Sequence, residues 1–448
     1  MQNIIQSEPE ALTPDFFNVL STLISIPSVK SDPLPDAPYG KYTVEALNYM
    51  LSLGIACGFS VKNMDNRVGY IEWGSGDKMM AILCHLDVVP PGDGWESDPY
   101  TLVRRNGFFI GRGVIDDKGP AVCSLFAILR LKNEGFTPSC RIRLIMGLDE
   151  EHGSSCMEYY VKNAELPATG FTPDAGFPAI FAEKGILQIT LSGKPSGNCI
   201  ACAGEAPNMV PSSCTISFSD TGNSFSAQGI PAHASTPDAG VNAILKAVSA
   251  IPAKILHDEP VLDFIYRFFA DEMSEELLIT SAEPDVSGEL TINPAILIIN
   301  DSASSITLDI RYPVKSDVNL ILQEIRDNAS MFDLTTEIIS HLKPKYIDPE
   351  SSQITDLLSV YEKHQDMLCK LSSDPATNPP QAVYPVLPIA IGGGTYARSM
   401  PGIVAFGPGL PWEDSQAHRK NEGFRESVAL QLIDLYKDAI KRLCENIV

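Results

Sequence analysis

Basic residues are in short supply: 33 Lys and Arg stand against 56 Asp and Glu, giving a formal charge of −23 over 448 residues. Binding to a phosphate backbone or an anionic membrane surface depends on clustered Lys and Arg, so neither nucleic acid nor membrane is expected as a partner. Long apolar runs are missing too. No stretch of about 18 apolar residues occurs, and nothing is expected to span a bilayer. The opening MQNIIQSEPEALTPDFF lacks the basic start and apolar centre of a signal peptide. Cysteine motifs are almost absent. Ten cysteines lie singly, most in apolar stretches such as AILCHL and AVCSLF, as reduced, core-filling thiols do. The one C-x-x-C, Cys199 and Cys202, has no second pair or nearby His for a zinc knuckle, and reads as a chance pair in a strand or loop. These absences lead to the expectation of a soluble, cytoplasmic protein.

What is present suits a large globular enzyme. Apolar residues make up 44% of the chain, enough for a sizeable core, and the length calls for two or three domains. Thr13-Pro14-Asp15 reads as a helix N-cap with proline at the first helical position. MMAILCHLDVV (79–89) is a continuous apolar run of strand length, as in a buried parallel strand. KGPAVCSLFAILRLKNEG (118–135) has helical spacing and ends on Gly135, and CRIRLIMGLDEE (140–151) is a strand running into acids. Such a βαβ series predicts an α/β sheet with helices on both faces, and functional groups beyond the carboxyl ends of its strands. From about residue 186 the pattern becomes strand-rich (ILQITLSG, CTISFSD, NSFSAQG, SITLDIRYPV) with helices at 240–251 and from Asp317, then returns to α/β after about residue 347. The reading is a catalytic α/β domain of residues 1–186 and 348–448, interrupted by an α+β lid domain of residues 187–347. TNPPQAVYP (377–385) is predicted as a loop.

The chemistry gathers at acids and histidines near predicted strand ends. His85-Leu86-Asp87 closes the apolar strand; at strand spacing both side chains share a face, and the carboxylate can take the imidazole proton. Asp116-Asp117 in GRGVIDDKG sits between a glycine-rich turn and a helix start, where a carboxylate can cap the helix or bridge two cations. Glu150-Glu151 in LDEEHG gives a dipeptide whose side chains diverge, one able to bind metal and the other to act as a general base. Taken singly, each of these motifs is common in sites with no chemistry.

Together with FTPDAGFP around Asp174 and QAHRKNE around His418, the series HLDVVPPGDGW, GRGVIDDKGP and LDEEHG resembles the motifs of the M20 metallopeptidase family. Order and spacing are similar to its PepV-like dipeptidase branch, with FTPDA-x-FP and GGGTYAR the most specific segments. The resemblance runs from residue 85 to 422. It implies the two-domain M20 architecture, and a pair of divalent ions held by His85 and Asp174 on one side and Glu151 and His418 on the other. Asp116 would bridge them together with a water, and the Asp116–Asp117 peptide would be cis. Glu150 is then the general base and Asp87 the partner of His85. In the lid, His233 would stabilise the oxyanion, and Asn208 and Arg311 would face the substrate. Arg398 in GGGTYAR would grip the substrate carboxylate through its planar fork. Imidazole and carboxylate ligands without thiolate suit Zn²⁺, with Mn²⁺ or Co²⁺ as alternatives. Trp95 is read as packing beside the metal loop, and His152, His257, His341 and His364 as non-ligands. Relatives often carry an uncharged polar residue where Arg419 follows His418.

The resemblance implies hydrolysis of short peptides with a free C-terminal carboxylate, by a monomer. One alternative is a deacylase or desuccinylase of N-acyl amino acids sharing the same metal centre. A binding protein that has lost catalysis is another, set against the retention of Glu150 and every ligand position. A zinc amidase of unrelated fold is the third.

Overall fold

A computed structural model describes residues 9–256, 258–270, 277–372 and 384–447. The chain forms two compact units. One comprises residues to Phe181, Ile347–Ile389 and Thr395–Val448; the other comprises Ala182–Tyr346 and Ala390–Gly394.

The first unit is built on a mixed sheet. Its strands lie in the spatial order Ser60–Met64, Val68–Trp73, Arg141–Gly147, Met79–His85, Thr169–Thr172 and Ile403–Ala405, followed by Ile180 at the start of Ile180–Glu183. Met79–His85 runs parallel to both Arg141–Gly147 and Thr169–Thr172, and Ile403–Ala405 runs parallel to Thr169–Thr172. Val68–Trp73 is antiparallel to its neighbours, so the parallel expectation holds for the centre and a hairpin forms the edge. All seven residues of Met79–His85 are buried, which requires cover on both faces and explains the unbroken apolar run.

Helix Lys118–Asn133 follows the central strand as its crossover. A Cβ on Gly119 would lie 1.8 Å from the Val114 carbonyl oxygen, so only glycine lets the preceding loop close this tightly. The helix stops at Gly135, whose φ of 77° is left-handed, as the sequence predicts. The C-terminal helix Glu426–Glu445 packs on helices Lys118–Asn133 and Ser352–Ser372. It buries Leu432, Tyr436, Ala439 and Leu443 at three- and four-residue spacing.

Two expectations need correction. The first helix is Pro9–Ile24, so Thr13-Pro14-Asp15 lies inside it and not at its start. Pro9 is itself a first-turn signal, and Glu10, Ala11 and Leu12 are strong helix formers that extend the helix towards the N-terminus. The cysteines are not all free: Cys140 and Cys444 form a disulfide that ties the start of strand Arg141–Gly147 to the C-terminal helix. A sequence separation of 304 hid this pair, and it withdraws the cysteine argument for a reducing compartment. The other eight cysteines form no disulfide.

The second unit is a seven-stranded antiparallel sheet. Its order is Ser224–Gln228, Ser213–Phe218, Cys199–Ala203, Thr291–Ile299, Ser304–Tyr312, Gly185–Gly193 and Thr335–Leu342. Helices Ala243–Ser249, Pro260–Ile265 and Val318–Ser330 contribute Ile244, Val248, Leu262, Ile321 and Ile325 to a core shared with Leu187, Ile216, Leu297 and Leu308. Strand Cys199–Ala203 alternates buried and exposed, with Cys199 inside and Cys202 outside. That alternation sets the two thiols on opposite faces, as the chance-pair reading requires. Helix Lys41–Ala56 and strands Thr291–Ile299 and Thr335–Leu342 were not legible as elements. Residues 377–383 of the predicted loop, and His257, lie outside the described residues. No helix among the described residues is long and apolar enough to cross a membrane.

Candidate metal centre

Three neighbouring parallel strands deliver the site from their carboxyl ends. His85 is the last residue of its strand, Glu150 and Glu151 follow Arg141–Gly147, and Asp174 follows Thr169–Thr172. Asp116 comes from the loop that precedes helix Lys118–Asn133, and His418 from a loop before the C-terminal helix. Open α/β sheets bind ligands at this end of their strands.

The side chains converge. His85 Nε2 lies 3.0 Å from Asp116 Oδ1 and 3.8 Å from Asp174 Oδ1. His418 Nε2 lies 2.9 Å from Asp116 Oδ2 and 3.1 Å from Glu151. Asp116 therefore turns one oxygen to each histidine. Glu150 groups with His85 and Asp174, and Glu151 with His85 and Asp116, each set of ligand atoms lying within 4.8 Å. The Asp116–Asp117 peptide is cis. The Asp117 side chain makes no capping hydrogen bond at the helix start; its Oδ2 accepts the His85 backbone N–H at 3.1 Å.

Asp87 plays a part different in detail from the one expected. His85 Nδ1 meets the Asp87 backbone carbonyl at 3.0 Å, while the Asp87 carboxylate stands at 3.5 Å. That carboxylate accepts the backbone N–H groups of Glu150 and Glu151, both at 3.1 Å. The strand ends at His85, so the chain turns before Asp87 and brings its carbonyl to the ring. Asp87 thus orients the ring with its backbone and the acidic pair with its side chain.

Electrostatics follow from this crowding. Burial lowers the His85 pKa, but the neighbouring carboxylates of Asp116, Asp174 and Asp87 outweigh it and hold the pKa well above the usual imidazole range. Hydrogen bonds to Asp116 and Glu151 push His418 up to about 10. Burial would raise Asp116, yet its bonds to His418 and His85 hold it low. Burial pushes Asp174 up to about 6 against the pull of His85. Burial, and then the charge of Asp174, raise Glu150 well above an ordinary carboxylate. Carboxylates this close repel each other unless cations lie between them.

In the second unit, His233 and Asn208 are brought together. The Ala234 N–H donates to the Asn208 carbonyl at 2.9 Å, and Met209 bridges to His233. The Ser235 backbone N–H donates to His233 Nδ1 at 3.2 Å, which leaves Nε2 as the protonated nitrogen. Burial and then the Arg311 charge lower the His233 pKa, favouring the neutral ring. Arg311 is not a surface ion pair. It is buried, its Nε and Nη2 bonded to the Asp309 carboxylate and its Nη1 to the Gly392 carbonyl at 3.2 Å. Arg398 lies half-buried in the short helix Tyr396–Ser399 of the first unit. The histidines set aside have other partners: His341 meets Tyr312, and His364 bonds Asp438 and Gln431 between helices. Trp95 packs as expected, with the Arg112 guanidinium 5.3 Å above its ring.

Sequence reading missed two residues at the centre. Tyr396 is buried and sets its ring edge-on to His85, with centroids 5.8 Å apart; a Cβ on Gly147 would collide with its hydroxyl. Glu422 is buried against Arg112 and the Asp116 loop. Its place in AHRKNE, four residues after His418, was the available signal. A cavity of about 590 Å³ opens beside Asp116 and Asp174, walled by Phe108, Phe177, Leu410, Phe424 and Val428.

Comparison with known proteins identifies the family. The sequence profile described as peptidase family M20/M25/M40 matches residues 81–442. A Bacillus subtilis (strain 168) protein named "Putative dipeptidase YtjP" is 32% identical, with 92% of this chain and 93% of that protein covered. Among solved structures, human carnosine dipeptidase 1 superposes with a TM-score of 0.60 at 14% identity, covering 98% of this chain and 97% of that one. The M20 family metallo-carboxypeptidase Sso-CP2 from Sulfolobus solfataricus gives 0.60 at 16% identity, covering 96% and 99%. With a profile spanning most of its length and a relative this similar, the chain belongs to peptidase family M20/M25/M40, a family of metal-dependent hydrolases.

Proposed function

We propose that this protein is a dipeptidase that works with two divalent ions, Zn²⁺ or in its place Mn²⁺ or Co²⁺. The observation that carries the reading is the double-faced Asp116. Each of its oxygens meets a different histidine, and each histidine also has a second carboxylate, Asp174 or Glu151. The donors fit such ions: imidazole and carboxylate atoms converge, and no cysteine is among them. His85 and Asp174 would hold one ion, Glu151 and His418 the other, with Asp116 between. Two such ions would polarise the scissile carbonyl and lower the pKa of a bound water.

The chain's own groups do the rest. Glu150, beside His85 and Asp174, takes a proton from the attacking water and passes it to the leaving amine. His233, neutral and protonated at Nε2, donates to the developing oxyanion. Arg398 and Arg311, with Asn208, bind the substrate carboxylate and backbone, with Asp309 fixing the Arg311 fork. The unit from Ala182 to Tyr346 acts as the lid, and the enzyme works as a monomer.

The test is a panel of Ala-containing dipeptides, β-Ala-His and N-acetyl amino acids, assayed after metal stripping and refilling with each ion. Faster turnover of dipeptides is the expected result. Preference for the acylated substrates would make the protein a deacylase. Inertness towards all of them, equal to that of Glu150→Ala with metal bound, would leave a binding protein.

A further inference from the structure

We propose that Glu422 is a positioning residue of the metal centre: its carboxylate locks the loop carrying Asp116 to the segment carrying His418, and so sets the spacing at which the two share an ion. The inference rests on the metal-centre reading above and adds a residue to it that touches no ligand atom.

Glu422 is wholly buried. Its Oε1 accepts the backbone N–H groups of Ile115 at 2.9 Å and Asp116 at 3.3 Å. Its Oε2 accepts the Gly113 N–H at 3.0 Å and Arg112 Nη1 at 2.8 Å. The main chain is stitched as well, with the Gly111 N–H donating to the Glu422 carbonyl at 3.1 Å. A buried carboxylate that needed only neutralising would be served by Arg112 alone. Here three of four side-chain bonds go to backbone amides of one loop, the last being that of Asp116 itself.

The loop is held from its other side. Arg112 Nη2 donates to the Pro91 carbonyl at 3.3 Å, and Trp95 Nε1 donates to the same oxygen at 2.7 Å. On the far side, His418 and Asn421 adopt φ of 62° and 55°, conformations that side chains seldom take unless their surroundings impose them. The Asn421 side chain accepts the Glu96 N–H at 2.9 Å, and Glu422 is the next residue. His418 therefore leaves a segment anchored within four residues to the very loop whose carboxylate it faces. No sequence neighbour could supply this, because Asp116 and Glu422 are 306 residues apart.

The experiment titrates Co²⁺ into the metal-free full-length protein, as wild type, Glu422→Gln and Glu422→Ala, following binding heat and visible absorption. Glutamine keeps one acceptor oxygen for Ile115 and Asp116 but turns an amide N–H₂ towards Gly113 and Arg112. Wild type is expected to bind two ions. In Glu422→Gln one of the two should bind about 10–100-fold more weakly, the range seen when an outer partner of a metal ligand is lost. Glu422→Ala should be weaker still, with a changed Co²⁺ spectrum. Wild-type affinities and an unchanged spectrum in both variants would overturn the proposal. A wild type that bound no ion would sink the metal-centre reading instead. Hydrogen exchange on metal-free wild type provides a second test that needs no variant. Slow exchange at the amides of Gly113, Ile115 and Asp116 before any ion is added is the expected result. Fast exchange there, slowed only by metal, would overturn it.

Discussion

His418 Nε2 sits 2.9 Å from Asp116 Oδ2, on a loop whose other residues are largely exposed. The opposite oxygen of the same carboxylate is already engaged with His85. The centre thus has a buried half on the sheet and an open half closed by one loop residue. Substituting His418 by Ala should therefore abolish one ion-binding event and spare the other. Metal analysis after dialysis should fall from two ions per chain to one, with dipeptide turnover lost; retention of both ions would contradict the assignment.

Glu150 groups with His85 and Asp174 yet is left out of the proposed ligand set. Glu150→Gln should lower kcat by about 10²–10⁴-fold, as loss of a positioned general base does, with both ions retained. Steady-state kinetics paired with metal analysis separates this from simple loss of metal.

His233→Ala removes a donor rather than a ligand. A fall in kcat of about 10²–10³-fold with little change in KM is expected, as for other oxyanion donors. A variant that lost metal or affinity while keeping kcat would place His233 elsewhere in the cycle.

Protonation should separate the metal-free from the loaded protein. Hydrogen bonds to Asp116 and Glu151 raise His418 to about 10 in the folded state, above the ordinary histidine value of about 6.5. A raised pKa stabilises the fold fully below the unfolded value, and the contribution fades as pH climbs through the folded one. Thermal melts of the metal-free protein should therefore drop between pH 7 and pH 10. An incoming ion must displace the same proton, so apparent metal affinity should rise over that window and binding should release protons. Titrations in buffers of different ionisation enthalpy would count them.

The disulfide makes a numerical forecast. Ten cysteines less the Cys140–Cys444 pair leave eight thiols. Thiol titration in denaturant without reductant should find eight; ten would show the pair reduced.

Much of the centre is legible in the sequence, and the reasons are local. The run ending in His85 is apolar on both faces because the strand is buried on both faces, so its end announces where the sheet stops. Gly119 and Gly135 mark the loop and the stop of the crossover helix, and both are required by the backbone there. What escaped was long-range. Glu422 looks like one more acid in a charged stretch until Arg112 and the Asp116 loop close around it. Tyr396 resembles any aromatic in a glycine-rich turn, and its contact with His85 depends on how strands pack. The Cys140–Cys444 pair could not be inferred from spacing at all. Asp87 was found, but which of its oxygens meets the ring is settled by the turn after the strand.

Strand Ile403–Ala405 slots between Thr169–Thr172 and Ile180–Glu183, although it is made long after both. Domains made during synthesis ordinarily fold as their residues emerge. Here the sheet keeps a gap until the ribosome has released residue 405, and His418 follows only thirteen positions later. A nascent or prematurely terminated chain consequently holds His85, Asp116, Glu151 and Asp174 without a closed sheet or a second histidine. Closure of the sheet and delivery of His418 are thus coupled, since both wait on the same downstream segment.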